Sequence, residues 1–135
     1  MSETLRLQFP SDPKFLSLLR KIVATAAEMI GFGETEIGTL QLIMAEAVTN
    51  IIRNSLKNDF CRNIEADFVL HEGAFEVVLR DDGEPAGEDD FRPKDPSPDR
   101  PGGLGLHLMH ECMDEVLHER LPNGQNQLRL VMYLK

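Results

Sequence analysis

Apolar and polar residues alternate at the start of the chain. Leu5, Leu7 and Phe9 fall on every second position, the period of a half-buried strand. The period then changes. Ser11 and Asp12 precede Pro13, a favourable helix start, and Phe15, Leu18, Leu19, Ile22, Val23 and Ala26 recur at helical spacing up to about Ile30. Gly31 and Gly33 stop that helix. A second helix is predicted from about Glu34 to Lys57, with Ile37, Leu40, Ile43, Ala47, Val48 and Ile51 as its apolar stripe. The period returns to two in Ile64, Ala66, Phe68 and Leu70, and again in Phe75, Val77 and Leu79. These make two strands joined by a turn at His71-Glu72-Gly73-Ala74. A helix from about Leu104 to Met113 follows a long loop. Val116 to Leu121 and Gln127 to Leu134 then form a last hairpin around Pro122-Asn123-Gly124. Methionines 29, 44, 109, 113 and 132 lie on apolar stripes and read as core.

This order of elements predicts an α+β fold: a two-layer α/β sandwich with a mostly antiparallel sheet and helices on one face. The 135 residues suit one domain, 1–135, with no internal repeat and no interdomain linker. Residues 82–101 hold prolines 85, 93, 96, 98 and 101 beside many charges, and read as a mobile loop within that domain.

Composition narrows the function. Hydrophobic residues at 41% and charged residues at 27% are globular values. A net charge of −9 argues against broad binding to nucleic acid or an anionic membrane, both of which need a basic footprint. It leaves room for a single nucleotide, which needs only local donors. No apolar run approaches the roughly 20 residues of a membrane span, and the first residues lack the pattern of a secretory leader. Cys61 and Cys112 stand far apart in no metal-ligand spacing, as expected of two reduced thiols in a cytoplasmic protein.

Three short motifs carry candidate chemistry. Glu46-Ala47-Val48-Thr49-Asn50 lies in the second helix. The four-residue step puts Glu46 and Asn50 on one face; Asn54 continues it and Arg53 flanks it. An amide oxygen is a hard ligand for Mg²⁺, and a carboxylate one turn away can accept a proton from a hydroxyl. The same residues would also make an ordinary solvated helix face. Asp81-Asp82-Gly83 ends a strand. Its first carboxylate could accept a bond from an exocyclic amine, with glycine permitting close approach, although Asp-Gly is also a common plain turn. Gly102-Gly103-Leu104-Gly105-Leu106 opens a helix. Glycines there leave backbone N–H groups uncovered, where the helix dipole favours an anion. The spacing is not that of a Walker loop, and no strand directly precedes it as in a Rossmann site. His107, His110, Glu111 and Asp114 sit at helical spacings and offer a weaker alternative, a metal cluster.

With these motifs in this order, the chain resembles the GHKL ATPase superfamily, which has the Bergerat ATP-binding fold. Within it, the chain looks like the bacterial anti-sigma factor serine/threonine kinases, over essentially its whole length. Glu-Ala-Val-Thr-Asn resembles the N box, Asp81-Asp82-Gly83 the G1 box, and Gly-Gly-Leu-Gly-Leu-His-Leu the G2 box. The resemblance implies ATP and Mg²⁺ as cofactors. Glu46 would be the general base, Asn50 the metal ligand, and Asp81 with Gly83 the adenine contacts. Gly102, Gly103, Leu104, Gly105 and Leu106 would hold phosphates, with Arg53 and Asn54 lining the ATP site. Residues 84–101 would be an ATP lid. The implied partners are a sigma factor, a STAS-type anti-anti-sigma protein and a second copy of the chain. A sequestering module without catalysis and a slow ATPase are rival readings. Three positions depart from the family pattern. Asn54 stands where a His or Lys is frequent, Pro85 where a second G1 glycine is frequent, and Asn126-Gln127 where the last strand often carries Thr.

Overall fold

The computed structural model describes residues 1–85 and 104–135, Leu104 by its backbone alone. Strand β1 (Ser2–Pro10) leads into a turn fixed by its own side chains. Ser11 Oγ donates to the Asp59 carbonyl at 2.6 Å and the Arg62 carbonyl at 3.0 Å, while Asp12 accepts from the Lys14 N–H at 3.0 Å. A 3₁₀ turn at Pro13–Phe15 opens α1 (Leu16–Ile30). Gly31 ends the helix with φ 117°, a left-handed conformation that costs glycine little. Helix α2 (Glu34–Asn50) starts at Gly33, whose N–H donates to the Glu36 carboxylate at 3.3 Å.

The expectation of one helix reaching Lys57 is corrected here. After Asn50 the backbone widens into a π turn, Ile51–Ser55, in which the Leu56 N–H reaches back five residues to the Ile51 carbonyl at 3.0 Å. Lys57 and Asn58 then take left-handed φ values of 53° and 61°, which end the helix. Apolar spacing could not reveal the widening, because Ile51, Ile52 and Leu56 are buried all through it.

The remaining elements are β2 (Asn63–His71), β3 (Ala74–Asp81), α3 (Leu104–Cys112), β4 (Glu115–Arg120) and β5 (Asn126–Tyr133). The sheet runs β1-β2-β3-β5-β4, and each neighbouring pair is antiparallel. One sheet face carries Phe9, Ile64, Ala66, Phe68, Phe75, Val77, Leu79, Leu128, Leu130 and Met132. These pack on Leu19, Val23, Ile43, Ala47, Val48 and Met109 from the three helices. The predicted sandwich is therefore observed. Leu5, Leu18 and Met29, expected on apolar stripes, are exposed. No helix of the described residues is long and apolar enough to cross a membrane.

The opposite sheet face is closed by ion pairs across the strands. Asp67 accepts from Arg6 Nε at 2.8 Å and from Arg80 Nη2 at 2.8 Å. Arg129 reaches Glu76 at 2.6 Å and Glu115 at 3.1 Å. The long arginine stems help cover Val78 and Val131, which are buried on a face that no helix protects. Burial pushes the Asp67 carboxyl up, but the bonds from Arg6 and Arg80 outweigh it and leave it below the usual carboxylate range. Glu76 is lowered in the same way: burial opposes, and the bonds from His71 and Arg129 prevail. A depressed folded-state pKa contributes stability above the unfolded value that is lost as pH falls through the folded one. The melting temperature should therefore hold on the acid side of neutrality and drop below about pH 4, the ordinary carboxylate range. Asp67→Asn should lose about 1–3 kcal/mol at pH 7 and show a shallower acid limb. Thermal melts of both proteins across pH check this, and an unchanged acid limb in the variant would refute the role of Asp67.

Candidate nucleotide site

The last turn of α2 brings Glu46 and Asn50 together, one turn apart. Asn50 is only 2% exposed, which rules out the reading of this side as a solvated face. Its Oδ1 accepts from Asn54 Nδ2 at 2.5 Å. This bond orients the Asn50 amide, whose oxygen is of the hard type that Mg²⁺ prefers. Asn54 thus acts on Asn50 directly, while Arg53 is exposed.

The π turn brings Ser55 toward the end of β3, where Asp81 is 3% exposed. Asp81 Oδ1 accepts from Ser55 Oγ, from the Gly83 N–H at 2.9 Å and from Asn126 Nδ2 at 3.1 Å. The Glu84 N–H closes the turn onto the Ser55 carbonyl at 2.9 Å. Gly83 was expected to make room for a ligand ring. Within the protein it makes a tight contact of its own: a Cβ built there would overlap Ser55 Oγ and the Ser55 carbonyl.

Three cations surround this turn. Arg62 pairs with Asp82 at 2.6 Å, Lys57 lies 3.8 Å from Glu84, and Arg120 Nη1 donates to the Gly83 carbonyl at 3.1 Å. A cleft of about 430 Å³ opens here, with Ser55, Lys57, Arg62, Gly83, Glu84 and Arg120 among its walls. Glu46, Asn50 and Asp81 are not among its walls, so this cleft borders the candidate site rather than forming it.

Helix α3 lies against α2. A Cβ built on Gly105 would overlap Glu46 Cβ and come within 2.7 Å of Glu46 Cγ and 3.1 Å of the Leu42 carbonyl. Gly105 therefore sets how closely the glycine motif approaches the proposed base. Leu106 is 5% exposed and packs in the core, so its side chain holds α3 down rather than facing a ligand. Leu104 starts α3. Gly102, Gly103 and residues 86–101 of the expected lid lie outside the described residues.

The alternative metal cluster does not assemble. His107 pairs with Glu111 at 3.0 Å, while Asp114 accepts from the Tyr133 N–H at 2.7 Å and pairs with Lys135 at 3.0 Å. Among the described residues no three His, Cys, Asp or Glu side chains gather as a metal site. Sequence reasoning missed Ser55 and Arg120 altogether. Neither belongs to a motif, and only the π turn and the strand register place them beside Asp81.

The chain belongs to the histidine kinase-like ATPase domain family, whose model matches residues 9–132. It is 28% identical over 124 residues to the serine-protein kinase RsbW of Bacillus subtilis (strain 168), covering 85% of this chain and 77% of that one. It is 30% identical over 124 residues to the serine-protein kinase RsbW of Listeria monocytogenes serovar 1/2a, covering 86% of this chain and 79% of that one. In structure it is similar to the RsbU and RsbW domains of Rv1364c from Mycobacterium tuberculosis, with a TM-score of 0.65 at 14% identity. That match covers 98% of this chain and 32% of the other, about a third of its length, and speaks for the fold alone. The expected family is thus borne out, and the expected enzyme class agrees with the names these relatives carry.

Gly105→Ala tests the seam between α2 and α3. The added methyl must push α3 away from Glu46, so the variant should lose about 1–3 kcal/mol, the usual cost of overpacking. Urea unfolding would measure it, and a neutral substitution would show that the contact is not tight.

Proposed function

We propose that the protein is an ATP-dependent serine/threonine protein kinase acting as an anti-sigma factor. It would hold a sigma factor inactive and phosphorylate a STAS-type anti-anti-sigma protein on serine, in the cytoplasm and as a homodimer. The observation that carries this reading is the placing of Glu46 and Asn50 one turn apart on α2, with Glu46 against Gly105 at the start of α3. The family match and the names of the relatives support it.

Phosphoryl transfer leaves little covalent work to the protein, so positioning and charge dominate. The serine oxygen forms a bond to the γ-phosphorus as the bond from that phosphorus to the bridging oxygen breaks. ADP leaves with the electron pair, and the serine proton passes to the Glu46 carboxylate. Gly105 against its Cβ fixes where that carboxylate starts. Asn50 would hold Mg²⁺ through Oδ1, and the metal, when bound, supplies positive charge to the phosphate oxygens. Asp81 would accept the exocyclic amine of adenine. The first backbone N–H groups of α3 would face the phosphates.

Calorimetric titration with ATP and ADP, with and without Mg²⁺, tests the site. Mg²⁺-dependent ATP binding that Asp81→Asn weakens by about tenfold or more is the expected result; no binding under any condition would leave a sequestering module. Glu46→Ala should keep nucleotide affinity within a few-fold and lose phosphotransfer to a STAS-type protein by about 10²-fold or more. Labelled-phosphate transfer measures the second effect, and an undiminished rate would remove Glu46 as the base.

A further inference from the structure

Asn126 stands in β5 between two neighbours in register, Asp81 on β3 and Arg120 on β4. Its Nδ2 donates to Ser55 Oγ at 2.9 Å, to Asp81 Oδ1 at 3.1 Å and to the Glu84 carbonyl at 2.8 Å. Its Oδ1 accepts from Arg120 Nη1 at 3.1 Å. These partners dictate which way the amide points. A guanidinium only donates and a carbonyl only accepts, so a flipped amide would meet both with the wrong atom.

Among the described residues, the bonds on Asp81 are one-sided. Ser55 Oγ, the Gly83 N–H and Asn126 Nδ2 all donate to Oδ1, and none of them to Oδ2. Three donors on one oxygen hold the carboxyl group against rotation about its Cβ–Cγ bond. Oδ2 is then the oxygen offered to a ligand. Held as an acceptor, it welcomes the amino group of a 6-aminopurine and opposes the lone pairs of a 6-oxopurine.

We infer that Asn126, oriented by Arg120, is a positioning residue that fixes which oxygen of Asp81 meets the base. It thereby sets how sharply the site separates 6-aminopurine from 6-oxopurine nucleotides. The inference rests on the reading of Asp81 as the base-recognising group and names what holds that group in place. Ser55 shares the task from the α2 side. Arg120 reaches the same turn twice, through Asn126 Oδ1 and through the Gly83 carbonyl.

The test compares ADP and IDP binding, with Mg²⁺, in the wild type and in Asp81→Asn, Asn126→Ala, Arg120→Met and Arg120→Lys. Calorimetry gives the affinities and thermal melting reports folding. The wild type should favour ADP about tenfold or more, and Asp81→Asn should erase that preference. Asn126→Ala and Arg120→Met should each lower the ADP-to-IDP ratio by about tenfold, with Arg120→Lys restoring much of it. General loosening weakens both nucleotides together and leaves the ratio alone. If Asn126→Ala does not fold, Arg120→Met decides, because Arg120 is exposed. An Asp81-dependent preference that both positioning variants leave intact overturns the inference and spares the reading of Asp81. A fall in Asn126→Ala but not in Arg120→Met overturns the part given to Arg120. A wild type without preference, or one indifferent to Asp81→Asn, overturns the reading of Asp81 and this inference with it.

Discussion

The bond between Ser55 and Asp81 joins the two layers at the end that matters. Ser55 closes the π turn after α2, and Asp81 closes β3. Their side chains meet in a buried place, where an unpaired polar group would be costly. Gly83, Glu84 and Asn126 complete the same knot, so no member can move without leaving another unsatisfied. Helix α2 and the sheet are therefore fixed relative to each other where Glu46 and Asn50 stand on one side and Asp81 on the other. Candidate groups from three elements share one frame because this contact supplies it.

The two glycines that the structure describes within the motifs serve this frame first. Gly83 lies against Ser55 and Gly105 against Glu46, each too close for a side chain. Glycine at such positions is readily taken as room for a ligand. Here each glycine also admits another part of the protein: the turn and the start of α3 are drawn close to Ser55 and to Glu46. A glycine motif in this fold reports the closeness of two backbones, which positions the backbone N–H groups that an anion could use.

Much of the fold was legible in the sequence because its strands alternate cleanly and its helices carry continuous stripes. Phe75, Val77 and Leu79 could face only one way, and Leu128 and Leu130 likewise. The π turn was illegible because Ile51, Ile52 and Leu56 satisfy either helical register. Its consequence was hidden with it: Ser55, one residue past the expected polar ridge, is the one that meets Asp81. Leu5 and Leu18 misled because a stripe says which side faces inward, not where the covering layer ends. Glu46, Asn50, Asp81 and Gly105 were legible through motif spacing. Arg120 was not, since its meeting with Asn126 depends on the register of the last hairpin.

The neutral Asn54 changes how charge is handled at this site. A lysine or histidine there would set a cation beside Asn50; the amide instead spends its N–H on Asn50 Oδ1. The chain as a whole carries −9, so its field does not favour a polyphosphate. Among the described cations near the site, Arg62 and Lys57 are engaged with acids of the Asp82–Glu84 turn, and Arg120 with Gly83 and Asn126. On the proposed reading, beside the exposed Arg53, phosphate charge is met by the metal on Asn50 and by backbone N–H groups at α3. Both act only at short range and in a fixed direction. An acidic protein that relies on them gains little from attraction at a distance and depends on the groups being in place beforehand, which is what the Ser55–Asp81 knot and the Gly105 seam provide.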